Sequence, residues 1–474
     1  MNTRMLSWLA LSLLLFLTGC SSGGPGSGPA GGLLSTTVVY LADQDGNDVF
    51  ELYLAGSGAK LNPDLTGGKD VISFAVLPDK NGVIYIADQD TDNQFELYRV
   101  NFASPKTSTK LSGSLAGLTA DVDQFLLLPN GAGVVYQADQ NVLGTKELYL
   151  VLFATPGTQT RLVPGQHIGG AFDVSPDSLA VLYVTQQAPS TQNELYRVLL
   201  AGGGSTKLNG SINGGNVTHF QIAPNSTTVV YRSDQLTLGV FELFHVSTLA
   251  PGSSVRLNRA LVNGNVGSQF AVTPNSGAAI YLAEETTVGR VELQQATIVA
   301  IPVHTTLNGN LGVTGGSVSG FAIAPNGSFV VYQADQDIFG VKELYHVVLS
   351  PLGAPLKVNP IIVNPKSVDS FSITPDSGAV VYIADQTTTA KHEIFRVAIS
   401  NLGVSSLPLN GTLAVGRNVS SFGVLADNAT VVYLADQTTV NVTEFFRVAV
   451  TDPGNSVKMN AGLVGGGNVT GFAF

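Results

Sequence analysis

An all-β fold made of nine near-copies of one unit is predicted by three observations. A Tyr followed eleven positions later by a Glu recurs nine times, from Tyr40 and Glu51 to Tyr433 and Glu444, with a Tyr-to-Tyr step of 45 to 51 residues. A second series, of Phe, also counts nine, from Phe74 to Phe472. No segment carries a 3.6-residue apolar stripe long enough for a helix. Such a step is the size of one supersecondary unit that cannot bury its apolar faces alone.

The unit beginning at Phe371 shows the elements in order. Phe371 to Thr374 alternates as a short strand, and Pro375-Asp376-Ser377-Gly378 is turn chemistry. Val380 to Ala384 is a β-branched run typical of a second strand. A polar loop leads to a third strand, Glu393 to Ile399, and Leu407 to Asn410 is expected as the fourth. In VVYIADQ both odd and even positions are apolar, so each sheet must be covered on both faces. Four-stranded antiparallel sheets stacked face to face around an axis meet that need, which is the arrangement of a single β-propeller.

Closure is written in the two ends of the repeat region. The first Tyr strand, Val38 to Ala42, has no Phe strand before it, and the last Phe strand, Gly471 to Phe474, has no Tyr strand after it. The two orphans complete one blade, which brings the count to nine and leaves no open edge. The propeller is expected over residues 38–474.

The repeat resembles that of TolB-type, WD-like propellers. The resemblance rests on Phe-x-Ile-x-Pro-Asp, the Tyr strand, Ala-Asp-Gln, Glu-Leu-Tyr-Arg-Val and a closing Lys-Leu-Asn. It implies an interaction scaffold, or the non-catalytic propeller of prolyl oligopeptidase-like enzymes.

Residues 1–20 carry Arg4, an apolar stretch from Leu6 to Leu17, and Leu17-Thr18-Gly19-Cys20. This reads as a cleaved signal. Ending at the only cysteine, it resembles a bacterial lipobox, which implies that Cys20 is the lipidation site and that the protein is anchored in the membrane through its acyl chains. Ser21 and Ser22 in place of Asp favour the outer membrane of a diderm envelope. Residues 21–37, nearly pure Gly, Ser and Pro up to Gly32, are expected to be a flexible tether.

Composition excludes several classes. Beyond the signal there is no Trp, and no Cys other than Cys20, so disulfides, thiolate metal sites and Cys nucleophiles are unavailable. The acidic balance, −11 for the whole chain, has no basic run, which argues against nucleic acid. G-x-S-x-G, H-E-x-x-H and phosphate-binding loops are missing, and no cofactor is called for.

The most regular polar groups are an Asp three positions after the Tyr, as in Asp385, and the Gln that follows it. A catalytic group is needed once, whereas a group repeated around a ring serves something the blades share. A structural role in turns and between strands is therefore expected for these residues and for the recurrent Glu. The first two loops, from Asp43 to Asp48 and from Asp88 to Asn93, have carboxylates at alternate positions that suit Ca²⁺. Leu54 and Arg99 stand where a bidentate Glu would close such a site, so a hairpin turn is the favoured reading. The six histidines, at 167, 219, 245, 304, 346 and 392, have no metal-ligand spacing.

The sixth unit departs most, with Glu284-Glu285 for Asp-Gln and Gln294-Gln295 for Tyr-Arg, either as drift or as a partner-facing patch. The expected function is a non-enzymatic, lipid-anchored envelope scaffold that presents one propeller face to a protein or glycan. The alternative is an enzyme with a carboxylate-lined central channel. In an up-and-down blade the second-to-third loops and the connectors between blades share a face, so the ligand is expected there. Oligomeric state and the identity of the partner stay open.

Overall fold

The computed structural model describes residues 37–474, apart from residue 47 and the pairs 188–189, 262–263, 313–314 and 405–406. The expected signal segment, Cys20 and all but the last residue of the expected tether lie outside the described residues.

The chain forms a nine-bladed β-propeller: eight sheets have four strands and one has three. Blade one is the closing blade. Its inner strand is Val469–Ala473 from the C-terminal end and its second strand is Val39–Ala42, with Tyr40 opposite Phe472 and Val39 opposite Ala473. The same Phe-to-Tyr register recurs in continuous blades, for example Phe371 opposite Tyr382 in blade eight. The pairing expected at the chain ends is therefore the pairing found.

Second strands are mostly buried, along their whole length in Gly133–Ala138 and Phe329–Ala334. Both faces are covered because each apolar cluster joins two neighbouring blades. Val331 and Phe329 of blade seven pack with Tyr382 and Phe395 of blade eight, and Tyr40 of blade one packs with Phe445 of blade nine. All nine Tyr of the second strands are fully buried. In eight blades the Tyr ring stacks on an aromatic ring from the third strand at 5.2–5.8 Å, an arrangement that adds to simple area burial.

Two expectations are corrected in blade eight. Its inner strand starts earlier, at Val368, because a bulge between Val368 and Ser370 lets the buried Val368 pair with Ala384. Residues 407–410 do not form the expected fourth strand. Pro408 stands there, and it has no N–H to give to a ladder. The main-chain N–H of Leu409 still reaches the Ile394 carbonyl at 2.8 Å, so the outer edge remains covered at that point.

Candidate functional site

The repeated polar residues are engaged inside the fold, each with a definite partner. The Gln after the Asp accepts the hydroxyl proton of the Tyr four residues earlier, at 2.7 Å for Tyr85 and Gln89, 2.8 Å for Tyr231 and Gln235, and 2.9 Å for Tyr382 and Gln386. A buried phenol needs such an acceptor. Its amide then reaches a Ser beside the outer strand, Gln89 to Ser108 at 3.0 Å and Gln437 to Ser456 at 2.9 Å.

The Asp carboxylate ties the loop of its own blade to the connector that enters that blade. Asp385 Oδ1 accepts the N–H of Ser367, the connector residue just before the inner strand, at 2.7 Å, and Oδ2 accepts the N–H of Ala390 at 3.0 Å. That second donor sits in a left-handed turn, with φ of 59° at Ala390 and 79° at Gly340 in the matching position of blade seven. The connector residue in turn accepts an N–H from the preceding blade: Ser367 Oγ from Lys342 at 2.9 Å, Asn418 Oδ1 from His392 at 2.8 Å. Asn468 repeats the relay across the ring closure, accepting the N–H of Thr443 at 2.8 Å and donating its own to Asp43. Blade four has Gln186 in place of the Asp, and there the Thr185 hydroxyl donates to the His167 carbonyl at 2.6 Å while His167 Nδ1 accepts from Lys146 at 3.1 Å. His167 is thus part of the relay.

The recurrent Glu opens the third strand and is buried against a cation from the outer strand: Lys60 with Glu51 at 2.6 Å, Lys357 with Glu343 at 2.7 Å, Lys458 with Glu444 at 2.8 Å. In blade eight, where Pro408 replaces that cation, Lys391 from the loop pairs with Glu393 at 2.8 Å. Hydrogen bonds from Arg161, Tyr149 and Gly165 outweigh desolvation at Glu147 and hold its carboxyl below the usual range. The closing Asn was not read from the sequence as functional in any way. Its Oδ1 accepts the third-strand N–H at 2.7 Å in Asn62 with Leu52 and Asn410 with Ile394.

Blade six keeps its strands and relocates its ion pair. Gln294 takes the place of the stacking aromatic, and Glu292 turns to Thr286 at 2.7 Å with no cation paired to it among the described residues. Arg259, in the connector where other blades have Gly, Pro or Ala, pairs with Glu285 at 3.3 Å, and Tyr281 donates to the same carboxylate at 2.8 Å. Arg259 also reaches Gln294 Oε1 at 3.4 Å and the His304 carbonyl at 3.2 Å. Gln294 Nε2 and His304 Nδ1 are buried without a hydrogen-bond partner among the described residues. The departures therefore contact one another, which is the behaviour of compensated substitution.

The first two loops hold their carboxylates apart. Asp43 Oδ2 accepts from Asp48 N at 3.4 Å and Asp88 Oδ2 from Asn93 N at 2.8 Å, while Asp45 turns to Lys60 at 3.1 Å and Asp90 toward Lys110 at 3.7 Å. Among the described residues no three His, Cys, Asp or Glu converge as metal ligands. Of the histidines, His245 donates to the Val299 carbonyl at 3.3 Å, His346 packs on Phe329 with centroids 4.6 Å apart, and His392 pairs with Asp369. Burial lowers the pKa of His219, His245, His304 and His346, which favours the neutral rings.

Three carboxylates, Asp123, Asp173 and Asp369, lie within the inner strands that surround the axis. Asp123 pairs with Lys146 at 2.8 Å. Asp173 accepts the N–H of Val174 at 2.8 Å, and burial pushes its carboxyl up to about 6. On the face shared by second-to-third loops and connectors, a cavity of about 370 Å³ lies between Thr439 and Val442 of one loop and Gly462 to Gly467 of the connector from blade nine to blade one, with Glu444 and Lys458 in its wall. Its size is within the range of small-molecule pockets.

No family model matches the sequence, and no curated protein matches it. Solved structures do. A eukaryotic initiation factor aligns with a TM-score of 0.58 at 10% identity, over 92% of this chain and 97% of that one. Porphyromonas gingivalis dipeptidyl peptidase 4 aligns with the same TM-score and identity, over 81% of this chain and 59% of the peptidase, so this chain spans little more than half of that enzyme. A TolB protein of Agrobacterium tumefaciens, described as putative, reaches a TM-score of 0.31 at 13% identity over 57% of this chain and 87% of that one. At 10% identity the first two likenesses show the propeller fold alone.

Proposed function

We propose that this protein is a non-enzymatic, lipid-anchored binding protein of a bacterial envelope, held by Cys20 in the outer membrane and presenting the face of second-to-third loops and connectors to a protein or glycan. One observation carries the reading. The recurring Tyr, Gln, Asp, Glu and Asn side chains bond within or between blades, which leaves the loop tips and connectors as the variable chemistry of this face. Those tips differ from blade to blade: Asp90 and Asp92 in blade two, Leu236 and Leu238 in blade five, Ile338 and Phe339 in blade seven. The cavity at blades nine and one lies on the same face.

The test is affinity capture from envelope extract with the full acylated chain in detergent, compared with Phe339→Glu and with Thr439→Arg. Enrichment of one protein or glycan that either variant abolishes supports the reading. Equal capture by all three chains would place binding elsewhere.

Asp173 favours a second reading, an enzyme using the channel, because a carboxyl held near 6 in an inner strand is poised for proton transfer. Turnover of any envelope substrate that Asp173→Asn removes would favour this alternative.

A further inference from the structure

We infer that the opposite face, at the hairpins of blades five to seven, rests on the lipid surface, so that the loop face points away from the membrane. This rests on the acyl anchor at Cys20. The described chain enters at Val38 and Val39, in the second strand of blade one. Val39 pairs with Leu54, and the Ala55 N–H donates to the Val38 carbonyl at 2.9 Å. The entry point is therefore beside the hairpin 55–58, at the end of the sheet away from the loop that begins at Asp43. Only 17 residues, 21–37, separate Cys20 from this entry point, a reach of at most about 60 Å, which keeps that end of the body near the bilayer.

The hairpins leaving the same end are unequal around the ring. Blades one to three have polar tips: Gly56-Ser57-Gly58, Ser104-Pro105-Lys106 and Thr155-Pro156-Gly157. Blades five to seven, on the far side of the ring from the tether, expose Leu249 (78%), Ile301 (85%), Val303 (64%) and Leu352 (51%). Isolated exposed apolar residues are ordinary, and the loop face of the same blades also exposes Leu238 and Phe339; the point of chain entry selects the face, and the apolar hairpins in adjacent blades give it a surface to rest on. The acyl chains at Cys20 supply the attachment, and a further apolar contact fixes how the ring sits on the surface. With the anchor under blade one and apolar tips under blades five to seven, the ring is held at two sides. No basic cluster accompanies the tips, so the surface they fit is zwitterionic.

The mature chain has no Trp, because Trp8 lies in the signal segment, and that permits a direct test. The full acylated chain carrying Ile301→Trp, and separately Phe339→Trp on the loop face, is reconstituted on phosphatidylcholine vesicles with and without brominated lipid. Co-flotation with the vesicles tests the anchor. Given flotation, emission at position 301 should shift to the blue and be quenched at least threefold more than at 339. Leu249→Trp should behave like Ile301→Trp. Equal quenching at 301 and 339, or more at 339, overturns the orientation while leaving the anchor standing. Failure to float removes the anchor, and the inference with it.

Discussion

Blade one and blade six break the repeat in opposite ways. Blade one lacks covalent continuity, since its inner strand comes from the other end of the chain, yet it keeps every residue of the pattern: Tyr40 opposite Phe472, Asp43 bonded by Asn468, and Glu51 with Lys60. Blade six is one continuous segment and loses the pattern, with Arg259 and Glu285 carrying the buried ion pair and Gln294 replacing a ring. Both form four-stranded sheets in the same register. A blade therefore survives the loss of connection if its partners are kept, and the loss of partners if its strands remain joined and the buried charge is still matched.

The largest effect is expected where only the partners hold the blade. Deleting Gly471 to Phe474 removes most of the inner strand of blade one, uncovers Tyr40 and breaks the stack of Phe472 on Phe445 at 5.3 Å. Calorimetry should show the main transition lowered by many degrees and broadened as the ring frays from blade one. A melting point within two degrees of the intact protein would mean that closure contributes little.

Next comes the relocated ion pair of blade six. Arg259→Ala should cost about 2–3 kcal/mol in chemical denaturation, because the Glu285 side chain is 1% exposed and loses its cation, while the 39% exposure of Arg259 admits some water. Arg259→Ala combined with Glu285→Gln should recover most of the loss, since Gln stands at that position in the other eight blades. No recovery would show that the Arg259 contacts to Gln294 and His304 matter more than the charge.

The Asp relay gives a comparison of intermediate size. Asp385→Ala strands the Ser367 and Ala390 donors and should cost about 1–3 kcal/mol. In blade six the equivalent Glu284 side chain accepts from Gly289, at 3.1 Å, and from no other donor among the described residues, so Glu284→Ala should cost about 1 kcal/mol or less. Equal losses would contradict the view that the Glu284 side chain has left the relay, in which Asn265 still accepts the Phe241 N–H at 2.8 Å.

The smallest effect concerns the junction that leaves blade one. Asp70 accepts the Phe50 N–H at 2.8 Å where Asn418 and Asn468 act elsewhere, and burial, then the nearby Asp88, Asp48 and Asp43 carboxylates, push it up to about 6. A carboxyl raised in the folded state stabilises below its unfolded value near 4 and loses that contribution as pH rises through about 6. Asp70→Asn should therefore stabilise by about 1 kcal/mol at pH 7.5, after allowance for its partial exposure, and be neutral at pH 4. A gain that is the same at both pH values would exclude the charge as its cause.

Much of the fold was legible because its signals are local. Tyr-to-Glu and Phe spacings reflect strands joined by short turns, and the apolar run in each second strand reports burial on both faces without any knowledge of neighbours. The expected strand at Leu407 to Asn410 failed on one residue, Pro408, whose missing N–H was visible in the sequence and not weighed. The structural role of the Asp and Glu was legible from repetition, but not their partners. Asp385 meets Ser367 18 residues away, Asn410 meets Ile394 16 away, and Arg259 meets Glu285 26 away. A signal that could have exposed the last pair was present: Arg259 is the only charged residue after the closing Asn, and Glu285 the only acid at the Gln position.

The sequence by itself determined the number of blades, the register by which the two chain ends meet, and the residues that recur in every blade, because each follows from periodicity along the chain. Tertiary structure alone decided which groups those residues touch, that the odd residues of blade six answer one another, and which loop tips and hairpins share a face. Those are relations between segments in adjacent blades, and the stacking of sheets around an axis, not spacing in sequence, sets the distances at which hydrogen bonds and ion pairs form.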